Sequence, residues 1–296
     1  MYYILSNVLS GGSAKYVADL VANYKIVHLR DKSELDVVQK TDVLLVNQLY
    51  DTNVRVDDLI HLNYIICVHD FCWFLEDAAL INQCCPRETY SKGYLTCQSV
   101  DPLLQTFFSK AALIIYPSLF CQSQYSRFFS GKTCVQPHND IYVGPSIQIH
   151  RKVDDVIRIG SLNEFIEKKG AQFMTWLFEN VTTYKNYRID YKFTRYTETN
   201  WEEHIAGLHG LLHLNKYGET YSYTLTKSLK SGLPLLYNNI GSYRERVPKN
   251  PHYMVCAETE SDVHDVGLLS ARFHAFLDYI IDQPVTNTAF YDNLLK

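Results

Sequence analysis

Glu219 has more chemical context than any other residue of this chain. It lies in Tyr217-Gly218-Glu219-Thr220-Tyr221-Ser222, directly before a stretch that the sequence predicts to be a short helix over residues 220–230, closed by Gly232 and Pro234. An apolar strand follows and ends at Gly241. A helix start carries N–H groups without intrahelical partners and the positive end of the helix dipole, so it favours an anion. A carboxylate beside it does a different job, accepting hydrogen bonds from neutral hydroxyls. Together they describe a site for a molecule with a diphosphate-like end and a hydroxylated end. The bland reading of Glu219 is a favourable charge at a helix start, worth about 0.3–1 kcal/mol. Gly218 before it, the hydroxyls of Thr220 and Ser222 after it, and the Gly232-x-Pro234 turn favour the ligand reading.

Three further loops carry candidate chemistry. Ser10-Gly11-Gly12-Ser13 follows the opening strand-like run; its paired glycines let a backbone approach a ligand, and Ser13 is a credible helix N-cap. A plain strand-to-helix turn is the alternative. Val68-His69-Asp70, with Phe71 and Trp73, ends an apolar run, where His69 could hydrogen-bond a substrate hydroxyl or act as a general base and Asp70 could orient the ring or cap the turn. Ile159-Gly160-Ser161 is followed by Glu167-Lys168-Lys169-Gly170, a strand end whose next helix opens on two lysines suited to a diphosphate. A solvated surface turn is the competing reading of that lysine pair.

Several chemistries lack support. The dinucleotide fingerprint G-x-G-x-x-G is absent, and Gly131-Lys132-Thr133 fails as a phosphate loop because the upstream glycine position holds Ser126. His69 with Cys72, Cys84, Cys85 and Cys97 lacks a C-x-x-C pair, so a zinc site is disfavoured. No Asp-x-Asp pair is found, and neither a metal nor another cofactor is expected.

The elements that must position these loops alternate. Apolar runs at 2–5, 26–29, 43–47, 64–68, 113–116 and 134–136 are interleaved with helical stretches beginning at 14–22; a second set runs through 157–160, 189–193, 211–214 and 235–237, with helices at 171–180, 202–208 and 220–230 and a last one near 262–281. Strand, helix, strand at this interval marks parallel sheets covered by helices. The mixed stretch 138–155, with Gly144-Pro145 and the charged group Arg151, Lys152, Asp154 and Asp155, reads as a linker. The expected class is α/β: two Rossmann-like domains, residues 1–150 and 151–296, with parallel sheets facing a central cleft and the last helix free to pack back toward the first domain. In such sheets ligands bind beyond the carboxyl ends of the strands, where all four loops fall.

Composition narrows the partners. The 296 residues suit two domains, and 28 basic against 32 acidic residues give a net charge of -4 without a basic run suited to nucleic acid. No apolar segment reaches the roughly 18 to 20 residues needed to cross a bilayer, and Met1-Tyr2-Tyr3 leads straight into a strand-like run. The expectation is a cytoplasmic chain, with room for peripheral contact at the cytoplasmic face of a membrane. The 8 cysteines sit mostly in apolar runs and are read as reduced thiols.

The segment Gly218-Glu219-Thr220-Tyr221-Ser222-Tyr223-Thr224-Leu225, with Gly232-Leu233-Pro234, Ile240-Gly241 and Glu245-Arg246, closely resembles the P-E-T-Y-S-Y-T-L-S-E-A-L-A-x-G-L-P … I-G … E-R signature of retaining, family-4-like glycosyltransferases of the GT-B fold. Collinear with it, Gly11-Gly12 resembles that family's glycine loop, His69-Asp70 its H-D strand end and Lys169-Gly170 its K-G phosphate lysine. Cys85-Pro86-Arg87 and Cys97 are similar to a C-P-R … C loop, at longer spacing. The resemblance implies that Glu219 holds donor-sugar hydroxyls, that Thr220, Tyr221 and Ser222 present N–H groups near the phosphates, that Lys169 offsets the leaving diphosphate, and that His69 contacts the sugar. Gly11, Gly12, Gly160 and Lys168 would complete the donor side. Two positions depart. Lys227 replaces a glutamate associated with the nucleotide ribose, and a lysine donates but does not accept. Ser161 stands where an arginine is common, leaving Lys168 or Arg158 to supply that charge. The implied activity is metal-independent, retaining transfer of a sugar from a UDP- or GDP-type donor to a glycan, lipid-linked or small-molecule acceptor. A GT-B binding or scaffold protein without turnover and a GT-B nucleotide-sugar epimerase are the alternatives.

Overall fold

Runs of branched and aromatic residues form most of the strands, as in parallel sheets covered by helices on both faces. The computed structural model describes residues 1–7, 11–47, 49, 52–69, 101–138, 153–163, 165, 167–193 and 201–282. The chain divides into two units, Met1–Asp140 and Ile141–Lys296, a division that falls within the stretch read as a linker.

In the first unit, β1 (Tyr2–Leu5), β2 (Ile26–Leu29), β3 (Val43–Val46), β4 (Tyr64–Cys67), β5 (Leu113–Tyr116) and β6 (Thr133–Val135) form a sheet in the order β2-β1-β3-β4-β5-β6. Every pairing is parallel. Leu5 lies opposite both Leu29 and Val46, so the carboxyl ends align and Ser6, Asn47 and His69 follow along one edge. Gly11 and Gly12, expected in a turn, instead open the Gly11–Asn23 helix. First-turn residues donate no intrahelical bond, so glycine's poor propensity costs little there. Ser13 is therefore inside the helix, not at its cap. Its hydroxyl, like that of Ser6, accepts from Asn47 Nδ2 at 3.0 Å, which ties the helix to the sheet edge.

In the second unit, β7 (Val156–Gly160), β8 (Thr183–Tyr184), β9 (Tyr187–Lys192), β10 (Gly210–His213), β11 (Leu235–Asn238) and β12 (Tyr253–Ala257) are ordered β12-β11-β10-β7-β9-β8. The expectation of a wholly parallel sheet needs one correction. Strand β8 pairs antiparallel with β9, because the two-residue connection through Lys185, at φ 51, has room for a hairpin only. Alternate residues of β10 and β11 enter different cores. Leu212 and Leu236 join Phe173, Met174 and Leu177 of the Ala171–Asn180 helix and Phe273, Phe276 and Leu277 of the Val266–Asp282 helix. Leu211 and Leu235 join Ile205, Leu225, Leu229 and Tyr243. The last helix thus buries its apolar face in the core of its own unit. Cys67 and Cys256 are buried free thiols whose pKa values burial pushes up to about 12. Among the described residues no helix is long and apolar enough to cross a membrane.

Candidate active site

Strand β10 is buried along its whole length and delivers Leu214, Asn215 and Lys216, also buried, to the carboxyl edge of the second sheet. The chain then runs through residues 217–222 as a strap before the next helix begins. That helix spans Tyr223–Ser231, not residues 220–230 as the sequence predicts. Ser222 is its N-cap, extended at φ -139 and ψ 109, with its hydroxyl accepting from Leu225 N–H at 3.2 Å. Glu219, Thr220 and Tyr221 therefore precede the helix, and the anion-favouring N–H groups belong to its first turn from Tyr223 onward. The reason is local. A serine that caps stabilises a helix start by about 1 kcal/mol, and the residues before it are held elsewhere by tertiary contacts. At the other end Gly232 closes the helix at φ 69, as expected of a C-terminal glycine.

Two glycines set the strap's position. Gly241 has φ +60, and a Cβ there would lie 2.5 Å from both Glu219 N and Gly218 Cα, so only glycine lets the two segments touch. Ser242 N–H then donates to the Glu219 carbonyl at 2.9 Å. Gly170, at φ +87, presses against the Leu214 carbonyl in the same way. Lys169 immediately precedes it, in the short 3-10 helix Glu167–Lys169. The outcome is that Lys169 Nζ forms an ion pair with Glu219 Oε1, both side chains largely buried. The structure thus brings together two residues named from sequence for opposite ends of one ligand.

Behind the cap, five side chains form a closed ring of hydrogen bonds. Ser222 Oγ lies 3.0 Å from Thr224 Oγ1, which donates to Asn163 Oδ1 at 2.8 Å; Asn163 Nδ2 donates to Asn215 Oδ1 at 2.7 Å. Asn215 Nδ2 donates to Tyr243 Oη at 3.1 Å, and Tyr243 Oη donates back to Ser222 Oγ at 3.2 Å. Each group passes a proton the same way round, an arrangement in which neighbouring bonds reinforce one another. His213 braces the ring, with Nδ1 3.1 Å from Tyr243 Oη and Nε2 2.7 Å from Ser228 Oγ. Since the tyrosine proton is committed to Ser222, the Nδ1–H tautomer fits. Burial, with Lys169 and Arg246 nearby, holds the His213 pKa down at about 3, and burial pushes Tyr243 up to about 12. The ring works as neutral donors and acceptors.

The remaining candidates divide by unit. Thr220, Tyr221 and Ser222 are buried in the strap, and Lys227 is buried within the Tyr223–Ser231 helix. Gly160 ends β7, where a Cβ would press on the tip of the buried Leu208 side chain, so its place there has a packing account. Lys168 lies in the Glu167–Lys169 turn, but its side chain is outside the described part. Ser161 is buried, its hydroxyl accepting from Asn163 N–H at 3.0 Å, and Arg158 is exposed. In the first unit, His69 packs at 4.6 Å from Tyr16 and 4.5 Å from His138, centroid to centroid. Burial holds its pKa down at about 3, so the imidazole is uncharged near neutral pH. Asp70, Phe71, Trp73 and the cysteines at 72, 84, 85 and 97 lie outside the described residues, as do Pro86 and Arg87. Among the described residues no group of three or more His, Cys, Asp or Glu side chains is arranged to hold a metal ion.

The sequence reading passed over Asn163, Asn215 and Tyr243 as site builders. It quoted Gly241 and Arg246 only as parts of a signature. A buried asparagine has no periodic signal in one dimension, whereas Gly241 and Arg246 lie in the very segment that drew attention.

No family model and no curated protein matches the sequence. Solved structures do resemble the fold. Sucrose-phosphate synthase from Thermosynechococcus elongatus superposes with a TM-score of 0.59 at 10% identity, covering 95% of this chain and 92% of that one. HepE from Anabaena in complex with UDP gives 0.54 at 12% identity, covering 95% and 94%. The lipopolysaccharide outer core galactosyltransferase WaaB gives 0.54 at 10% identity, with the same coverages of 95% and 94%. Likeness of this extent over nearly the whole chain shows the fold class, α/β of the GT-B type.

Proposed function

We propose that this chain is a glycosyltransferase that moves a sugar from a nucleoside-diphosphate donor to a saccharide or lipid-linked acceptor with retention of anomeric configuration. The observation that carries the reading is the Lys169–Glu219 pair, set beside a capped helix start at the carboxyl edge of a sheet. One cation, one carboxylate and one helix dipole match the diphosphate and the hydroxyls of such a donor. The GT-B fold is the background against which this pairing is read, and UDP in the HepE structure favours a uridine nucleotide. WaaB, a lipopolysaccharide outer core galactosyltransferase, favours a glycan or lipid-linked acceptor and a role in polysaccharide assembly.

The chemistry follows from charge. As the bond between sugar and phosphate breaks, negative charge gathers on the diphosphate and positive charge on the ring. Lys169 and the first turn of the Tyr223–Ser231 helix stabilise the anion, and groups fixed before the reaction contribute more than groups that must reorganise. Glu219 accepts from sugar hydroxyls and orients the ring. With no protein nucleophile assigned, the departing phosphate takes the acceptor's proton on the face it leaves, which retains configuration. No metal enters this scheme. In the first unit, His69 and the amino end of the Gly11–Asn23 helix, at the carboxyl edge of its sheet, are assigned to acceptor contacts.

The test is a thermal-shift survey with UDP- and GDP-sugars, followed by transfer from radiolabelled donor with and without EDTA and by NMR of the product anomer. Stabilisation by one donor, EDTA-insensitive transfer and a retained anomer are expected. Binding with neither transfer nor hydrolysis across many acceptors selects a binding protein, and an epimerised donor formed without acceptor selects an epimerase. No response to any donor removes the reading altogether.

A further inference from the structure

We infer that Arg246 is a positioning residue for the donor site, bracing the strap so that Glu219 is presented beside Lys169. The inference rests on the donor reading of the strap given above. Arg246 ends the short Tyr243–Arg246 helix and makes three contacts with the strap and the helix it leads into. Its guanidinium carbon lies over the Tyr221 ring, 3.6 Å from the centroid. Nη1 donates to the Ser222 carbonyl at 2.9 Å, and Nη2 donates to Thr226 Oγ1 at 2.5 Å. One planar group thus fixes a residue before the helix, the N-cap itself and a residue in the following turn. The guanidinium carries its charge over the ring while two separate N–H groups reach two acceptors, and a lysine ammonium offers no such fork.

The opposite end of the strap is held from the same stretch of chain. Gly241 touches Gly218 and Glu219, and Ser242 N–H bonds the Glu219 carbonyl. Residues 241–246 therefore grip the strap at Glu219 and again at Tyr221 and Ser222. Between these two points the backbone has little freedom, which fixes where the Glu219 carboxylate leaves it. Arg246 is itself given no contact with the ligand in this reading. Its effect passes through Tyr221 and Ser222.

Amide deuterium exchange over residues 217–226 in the full chain tests the brace without any donor, and affinity for UDP-glucose tests its consequence. Arg246→Met should raise exchange in this segment at least tenfold while β11 is unchanged, and should weaken UDP-glucose about tenfold with little change in affinity for UMP, which lacks the sugar that Glu219 is assigned to hold. Arg246→Lys should recover part of both, through the retained charge over Tyr221. If Arg246→Met does not fold, Tyr221→Leu removes the platform from the other side and should give the same local exchange. Unchanged exchange in these variants overturns the brace. Faster exchange with unchanged UDP-glucose affinity overturns its positioning role. A wild-type protein that binds no nucleotide sugar overturns the donor reading and with it that role, a failure visible separately from the exchange result.

Discussion

Lys169 and Glu219 form an ion pair that joins the turn after β7 to the strap after β10, with side chains 15% and 19% exposed. Neither residue reaches the other by local chain geometry. Gly170, packed on the Leu214 carbonyl, holds the turn that carries Lys169, and Gly241 seats Glu219, so two left-handed glycines place the two charges. Taking both out of water carries a desolvation cost that the attraction between them must offset. A diphosphate-sugar would divide the pair, its anionic end toward Lys169 and its hydroxyls toward Glu219.

That division predicts separable losses. Glu219→Gln should cut transfer by roughly a hundredfold or more, because a neutral amide accepts weakly from hydroxyls. It should leave affinity for UDP itself nearly intact. Lys169→Met should weaken UDP about tenfold and reduce the salt dependence of its binding. Titration calorimetry with UDP and UDP-glucose on both variants checks this. Equal binding of UDP-glucose by Glu219→Gln and wild type would remove Glu219 from the site.

Gly241→Ala should act at a distance on the same carboxylate. The new Cβ would stand 2.5 Å from the Glu219 N and Gly218 Cα atoms, and the backbone at φ +60 disfavours any L side chain. About 1–3 kcal/mol of strain is expected, enough to lower the melting temperature measurably and to displace the strap. Loss of donor binding should accompany it. A variant that melts like wild type and binds donor equally well would show that the glycine is not what seats Glu219.

The alternation of apolar runs made both sheets legible in sequence, since a parallel strand needs four or five consecutive apolar residues and leaves little else to confuse with it. Strand β12 at Tyr253–Ala257 escaped because Met254 and Cys256 interrupt the branched pattern. The Pro102–Lys110 helix was passed over although Asp101 caps it and Pro102 opens it, both ordinary start signals. At the site, Glu219 and Lys169 were readable as charges at strand ends. The helix starts three residues later than its apolar stripe suggests, because the stripe continues through Tyr221, which precedes the helix and packs against Arg246 and Tyr223. The hydrogen-bond ring was not legible at all: Asn163, Asn215 and Tyr243 come from three separate turns and meet only once the sheet has formed.

Ser222→Ala should show how much that ring contributes. The substitution removes the cap on Leu225 N–H and an acceptor for Tyr243 Oη, leaving the latter buried without it. Loss of the cap costs about 1 kcal/mol and the stranded hydroxyl about 1–3 kcal/mol more. Tyr243→Phe removes the same bond from the other side, so the pair should be strongly non-additive. Urea denaturation of the single and double variants measures this. Simple additivity would mean that the two groups do not share one network.

Acid should destabilise the second unit through His213. Its pKa lies near 3 in the folded chain because burial and the cations Lys169 and Arg246 oppose a charged ring, whereas an unfolded histidine titrates near 6.5. The unfolded state then binds the proton more readily. Stability is at its full value above about pH 6.5 and falls as pH drops from there toward 3, by up to about 1.4 kcal/mol for each pH unit, so about 2 kcal/mol between pH 7 and pH 5. His69, depressed in the same direction, adds a similar slope in the first unit. His213→Gln keeps a hydrogen-bonding side chain between Tyr243 and Ser228 but has nothing to protonate. Its melting temperature should be lower than wild type at pH 7 and should fall less steeply between pH 7 and pH 5. Parallel pH profiles for the two proteins would show that His213 is not the group whose burial opposes acid.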